Sequence, residues 1–183
     1  MRTLLENMKF PKTSLYESLL DDFDNIDKSI DLKQIVKDWI KNNYKRATLL
    51  KISNKPNKDG KFEVSADVVI IDNKSLTSLT NDMFIWKKVE SFNCSNCTSL
   101  TSLEGAPEKV GGDFSCIHCD SLTSLEGAPK KVDRHFYCNS CNSLTSLEGA
   151  PKEVGGDFYC IHCASLKSYE LPATTKIKGK FIK

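Results

Sequence analysis

Apolar and polar positions along this chain repeat with a period far longer than that of a helix or strand. Cys94, Cys116, Cys138 and Cys160 recur every 22 residues, as do Cys97, Cys119, Cys141 and Cys163, and Leu100, Leu122, Leu144 and Leu166 keep the same step. Leu103, Leu125, Leu147 and Tyr169 follow in register, and so do Pro107, Pro129 and Pro151. Self-similarity at such a period is the signature of a solenoid, in which each unit buries its apolar face only against its neighbours. The two-residue alternation of Phe114 and Cys116 predicts a short strand, and the three-residue steps to Cys119, Leu122 and Leu125 describe a chain winding back under itself. About ten residues then remain before the next strand; they hold Gly105-Ala106-Pro107 and Gly111-Gly112, which oppose a long helix and predict turns and extended chain. A degenerate unit at Val68, Ile70, Asn73, Leu76 and Leu79 precedes the regular ones, and a truncated one at Ile177 and Phe181 follows, so six stacked turns are expected.

Ahead of the repeats the period changes. Ser14–Leu20 and Leu32–Ile40 carry apolar residues at helical spacing, the second opened by Asp31 as N-cap. Ala47–Ser53 and Phe62–Ile71 read as strands of a hairpin joined through Asp59-Gly60. The expected organisation is a helical and hairpin cap over 1–61 and a solenoid over 62–183. The fold class is α+β, with a short parallel sheet in 22-residue coils.

The unit resembles the leucine-rich repeat family, whose Leu-x-x-Leu-x-Leu-x-x-Asn/Cys-x-x-Leu consensus matches Phe114, Cys116, Cys119 and Leu122 in order, with Phe and Cys where the family prefers Leu. Within that family, the near-identical Ser-Leu-Thr-Ser-Leu-Glu-Gly-Ala-Pro units resemble cysteine-containing 22-residue repeat proteins of tailed phages and their bacterial hosts. The resemblance implies a leucine-rich-repeat-type solenoid. By analogy with phage proteins it implies an inhibitor of a host defence protein such as a CRISPR nuclease, acting in the host cytoplasm.

Hydrophobic residues make up 39% of the 183, charged residues 27%, and the formal net charge is +2. This balance marks neither a polyanion binder nor an acidic decoy. The start of the chain, Met1-Arg2-Thr3-Leu4-Leu5-Glu6-Asn7, lacks the apolar core of a secretion signal, and no apolar run is long enough to span a bilayer. A cytoplasmic protein without a membrane partner is expected.

Eight cysteines invite a metal reading, because Cys94-x-x-Cys97 followed by Cys116-x-x-Cys119 has zinc-ribbon spacing. Phe, Leu and Pro share that interval, however, so it belongs to the coil. The expectation is a buried thiol ladder of small hydrophobes, with no metal and no cofactor. His118 and His162, between the two cysteines of their units, and His135, just before Phe136, point outward without a Ser/His/Asp arrangement, so no catalytic residue is expected.

The outward positions of the strands remain. Tyr137, Tyr159, Ile117 and Ile161 line up there among small polar residues, a composition suited to protein recognition. Asp133-Arg134-His135 replaces the Gly-Gly-Asp of neighbouring units at the rim of this row. The expected partner-binding residues are Ile117, His118, Arg134, His135, Tyr137, Asn139, Asp157, Tyr159, Ile161 and His162. Lys176, Lys178, Lys180 and Lys183 guard the last strand, which favours a monomer. A metal- or nucleic-acid-binding protein built on the cysteine pairs and a structural virion component stand as alternatives, nucleic acid being disfavoured by the balanced charge of the repeats.

Overall fold

The computed structural model describes residues 32–183; the helix expected at Ser14–Leu20 and the Asp31 cap lie outside the described residues. The second expected helix, α1, spans Leu32–Asn43. Val36 and Ile40, one turn apart, lie on its buried side. Trp39 meets Tyr44 edge-on at 5.5 Å and Phe84 at 5.7 Å, which seats the helix on the end of the repeat core. The Asn43 side-chain amide donates to the Trp39 carbonyl at 2.8 Å, satisfying one acceptor of the last turn.

The hairpin follows as predicted. Strands β1 (Arg46–Thr48) and β2 (Lys51–Ile52) run antiparallel to β3 (Phe62–Ile70), with a break at Leu49, whose φ is 48°. In the connection Asn57 Oδ1 accepts the Asp59 and Lys61 main-chain N–H groups, an Asx turn. These two strands cover the β3 edge that would otherwise be bare.

From β3 onward the chain is a parallel β-solenoid of about six coils. Strand β3 pairs in parallel with β4 (Phe84–Asn93), and beyond β4 each coil contributes two short strands. One ladder runs through β5 (Lys109–Val110), β7 (Lys131–Val132), β9 (Glu153–Val154) and β11 (Lys176–Ile177). The other runs through β6 (Phe114–Ser115), β8 (Phe136–Tyr137), β10 (Phe158–Tyr159) and β12 (Phe181–Ile182). The first ladder occupies part of the return segment that the sequence reads as turns and extended chain. Both strands of a coil are two residues long, too short for alternation to reveal the Lys-Val and Glu-Val pairs.

Register departs from 22 at each end. A bulge in β4 sets Val64 opposite Trp86 but Ser65 opposite Lys88, after which Val69 pairs with Phe92. The inward residues of the first coil are therefore Val69 and Ile71, at 0% and 1% exposure, and the expected Val68 and Ile70 are half-buried instead. At the other end Phe158 pairs with Phe181, so that coil too carries one residue more than the coils between Phe92 and Phe158.

One continuous core fills the coils. The rings of Phe92, Phe114 and Phe136 stack with centroids 5.7 and 5.2 Å apart, and Phe158 continues the column tilted by 36° at 4.8 Å, beside the leucine ladders. Side chains of this size contribute on the order of 1.5–3 kcal/mol each through burial. The coils approach closely at the Glu-Gly corner: a Cβ on Gly127, whose φ is +83°, would strike the main-chain nitrogen of Glu104 one coil back.

Candidate recognition face

The ladder β6–β8–β10 positions the outward row, because each Phe and Cys that turns inward forces its neighbours outward. The row forms three columns running across the coils. Asp113, His135 and Asp157 make the first; Ser115, Tyr137 and Tyr159 the second; and Ser95, Ile117, Asn139 and Ile161 the third.

The first column is a chain of backbone acceptors. Asp113 Oδ1 accepts the His135 main-chain N–H at 3.0 Å, His135 Nδ1 accepts that of Asp157 at 3.0 Å, and Asp157 Oδ1 accepts that of Lys180 at 2.7 Å. His135 can serve this way only as the neutral tautomer with its proton on Nε2. The bond from Lys180, with help from the Tyr159 hydroxyl, holds the Asp157 carboxyl below its usual range. Asp157 and His135 thus combine exposure toward a partner with a role in joining coils, a double duty that outward alternation alone does not reveal.

In the second column Tyr137 and Tyr159 stack at 4.8 Å with planes 14° apart, and His135 sits about equally close to both, at 5.9 and 6.1 Å. The Tyr159 hydroxyl donates to Asp157 Oδ2 at 3.1 Å, which pushes the phenol pKa up. Arg134 lies at the rim, its Nε 3.8 Å from Asp113 Oδ1. The third column repeats the acceptor device: the Ile117 N–H donates to Ser95 Oγ at 3.2 Å and the Ile161 N–H to Asn139 Oδ1 at 3.0 Å. Ile117, Tyr137, Asn139, Tyr159 and Ile161 are all half-buried, and their backbones are held by the ladder.

His118 and His162 are exposed at the end of this face, in the turn between paired cysteines. Their φ values of 56° and 59°, matched by 63° at Asn96 and 56° at Ser140, place that turn position in the left-handed region. The histidines mark a corner of the coil.

The cysteines face the interior, and all eight are buried free thiols. Six of the eight donate to main-chain carbonyls. Cys94, Cys116 and Cys138 donate forward to carbonyls of the next coil at 3.4 Å, while Cys119, Cys141 and Cys163 donate back to the carbonyls of Cys94, Cys116 and Cys138 at 3.2, 3.1 and 3.2 Å. The Cys119 thiol and burial push the Cys94 pKa up, and burial pushes Cys97 up to about 11. Zinc needs thiolates, so this environment opposes it. Among the described residues no three His, Cys, Asp or Glu side chains come together as a metal site.

Comparison with protein-family models, curated proteins and solved structures finds no match. The molecule is, by its own geometry, a parallel β-solenoid with a rigid outward row of stacked aromatic and aliphatic side chains. Among the described residues no helix is long and apolar enough to cross a membrane.

Proposed function

We propose that this chain is a non-enzymatic binding module of the leucine-rich-repeat type, whose outward row docks a protein partner. The observation that carries the reading is the Tyr137–Tyr159 stack, at 4.8 Å, flanked by His135 on one side and by the column of Ile117 and Ile161 on the other. Large rings already ordered by the ladder lose little entropy on binding, and such residues dominate interface energetics. Arg134 and Asp157 at the edge supply polar specificity, and Asn139, His118 and His162 extend the contact. The narrower form of the proposal follows the phage-type resemblance: an anti-defence inhibitor that occupies a surface of a host effector such as a CRISPR nuclease, in the host cytoplasm, as a monomer.

The test is affinity capture from a host lysate with the wild-type chain and with the Tyr137→Ala/Tyr159→Ala double variant, read by mass spectrometry. A protein retained by the first and lost by the second, with folding intact, supports the reading. Equal capture by both sinks it.

A further inference from the structure

A second surface lies away from the aromatic row, where β4 outruns its neighbour. One side of β4 is paired with β3 along its length, but on the other side the first contact with β5 is Val89 opposite Val110. Phe84 to Lys88 therefore present a strand edge that no strand among the described residues pairs. A groove of about 760 Å³ runs along that edge, bounded on its far side by the Glu-Gly-Ala corners of the next two coils.

Both the inward residues Phe84 and Trp86 and the outward residues Ile85 and Lys87 line the groove, so it follows the edge of the strand and not one of its faces. The Phe62 N–H donates to the Met83 carbonyl at 2.9 Å. In the alternation of a parallel ladder the main-chain N–H and C=O of Trp86 then turn from β3 toward the groove. Ile85, one of two large hydrophobic residues left exposed among the described residues, stands beside them at 41% exposure. Four lysines (Lys61, Lys87, Lys109 and Lys130) border the groove against two glutamates, a local excess of two positive charges. Lys87 and Lys130 are engaged with Glu63 and Glu108, whereas Lys109 forms no ion pair among the described residues.

We infer that this groove receives an extended acidic peptide, which adds a strand to the Phe84–Lys87 edge. Open main-chain groups select a polypeptide, since a nucleic-acid backbone carries no complementary amide ladder. The lysine excess selects acidic side chains in the peptide, and Ile85 and Trp86 offer apolar contact to those between them. A groove of this size falls within the range of sites that enclose a ligand. The surface is separate from the Tyr137–Tyr159 row, and its occupancy does not depend on the function proposed for that row.

The experiment uses the full chain and a short synthetic peptide of alternating glutamate and valine, followed by heteronuclear NMR and fluorescence anisotropy at low salt. Three comparison probes are a lysine–valine peptide, the acidic peptide with its central valine replaced by proline, and oligothymidylate. Trp86 lines the groove and its buried Nε1–H has no acceptor among the described residues, so its indole resonance reports on a change there. The expected result is saturable binding of the acidic peptide with shifts at the Ile85–Lys87 amides and the Trp86 indole. Lys109→Glu/Lys130→Glu and the proline peptide should each weaken it about tenfold or more, while Tyr137→Ala/Tyr159→Ala leaves it unchanged. Both lysines are exposed, so the charge variant tests the site without disturbing the core. Absence of saturable binding, equal affinity for the proline or lysine peptide, stronger binding of oligothymidylate, or shifts confined to the tyrosine row would each overturn the inference.

Discussion

The Cys119 thiol donates to the main-chain carbonyl of Cys94, one coil back, at 3.2 Å. The reason lies in the turn above it. Continued ladder pairing would send the Ile117 N–H to that carbonyl, but the N–H is taken by Ser95 Oγ. A buried carbonyl is thereby left for the thiol; Cys163 repeats the arrangement with Cys138, where the Ile161 N–H is taken by Asn139 Oδ1, and Cys141 donates to the Cys116 carbonyl in the same way although Ile117 offers no side-chain acceptor. Cysteine suits this position because it is small and apolar yet carries a donor.

That relationship predicts an order of stabilities in urea unfolding. Cys119→Val fills the space but leaves the carbonyl unpaired, a loss on the order of 1–3 kcal/mol, and Cys119→Ser keeps a donor and should lose less. If valine proved at least as stable as serine, the thiol would be acting as apolar filler alone.

Thiol chemistry provides a second check. With all eight thiols buried and six of them donating to main-chain carbonyls, native protein should react slowly with an alkylating reagent near pH 8, while in denaturant all eight cysteines should label. Protein purified without chelator should carry well under one zinc per chain. Rapid native labelling, or stoichiometric zinc whose removal unfolds the chain, would contradict the ladder.

The phenylalanine column should be unforgiving. Phe136 lies between Phe114 and Phe158 with no exposure, and Phe136→Ala should lower stability by about 3–5 kcal/mol. By contrast, Tyr137→Ala on the opposite face of the same strand should move the melting temperature little and weaken a bound partner by about 2 kcal/mol or more. Calorimetry of the two variants distinguishes the faces, and a reversed order of stability loss would exchange them.

Acid should act at Asp157. Its folded pKa is depressed, so the stability it contributes is fully present above the unfolded value, about 3.9, and is lost as pH falls through the lower folded value. The Lys180 amide proton, which donates to Asp157 Oδ1, should titrate below pH ~3.9 in NMR spectra. Asp157→Asn keeps an oxygen acceptor and should remove that titration; an unchanged profile would place the titrating group elsewhere.

The 22-residue period, the inward Phe, Cys and Leu positions, the outward Tyr and Ile row, the helix at Leu32 and the hairpin cap were legible in the residues alone. Each of these depends on local alternation or on identity between neighbouring units, and a coil repeats its own environment. Tertiary structure decided what depends on contact between coils. The bulge that makes Val69 and Ile71 the inward pair is a mismatch between β3 and β4, invisible in either strand alone. The backbone-accepting roles of Asp113, His135 and Asp157, and the donation from Cys119 to Cys94, join atoms more than twenty residues apart. The open edge of β4 exists because the next coil diverges from it before Val110. Periodicity states which side chains face inward or outward; only the stacked backbone determines which polar groups are left for them to satisfy.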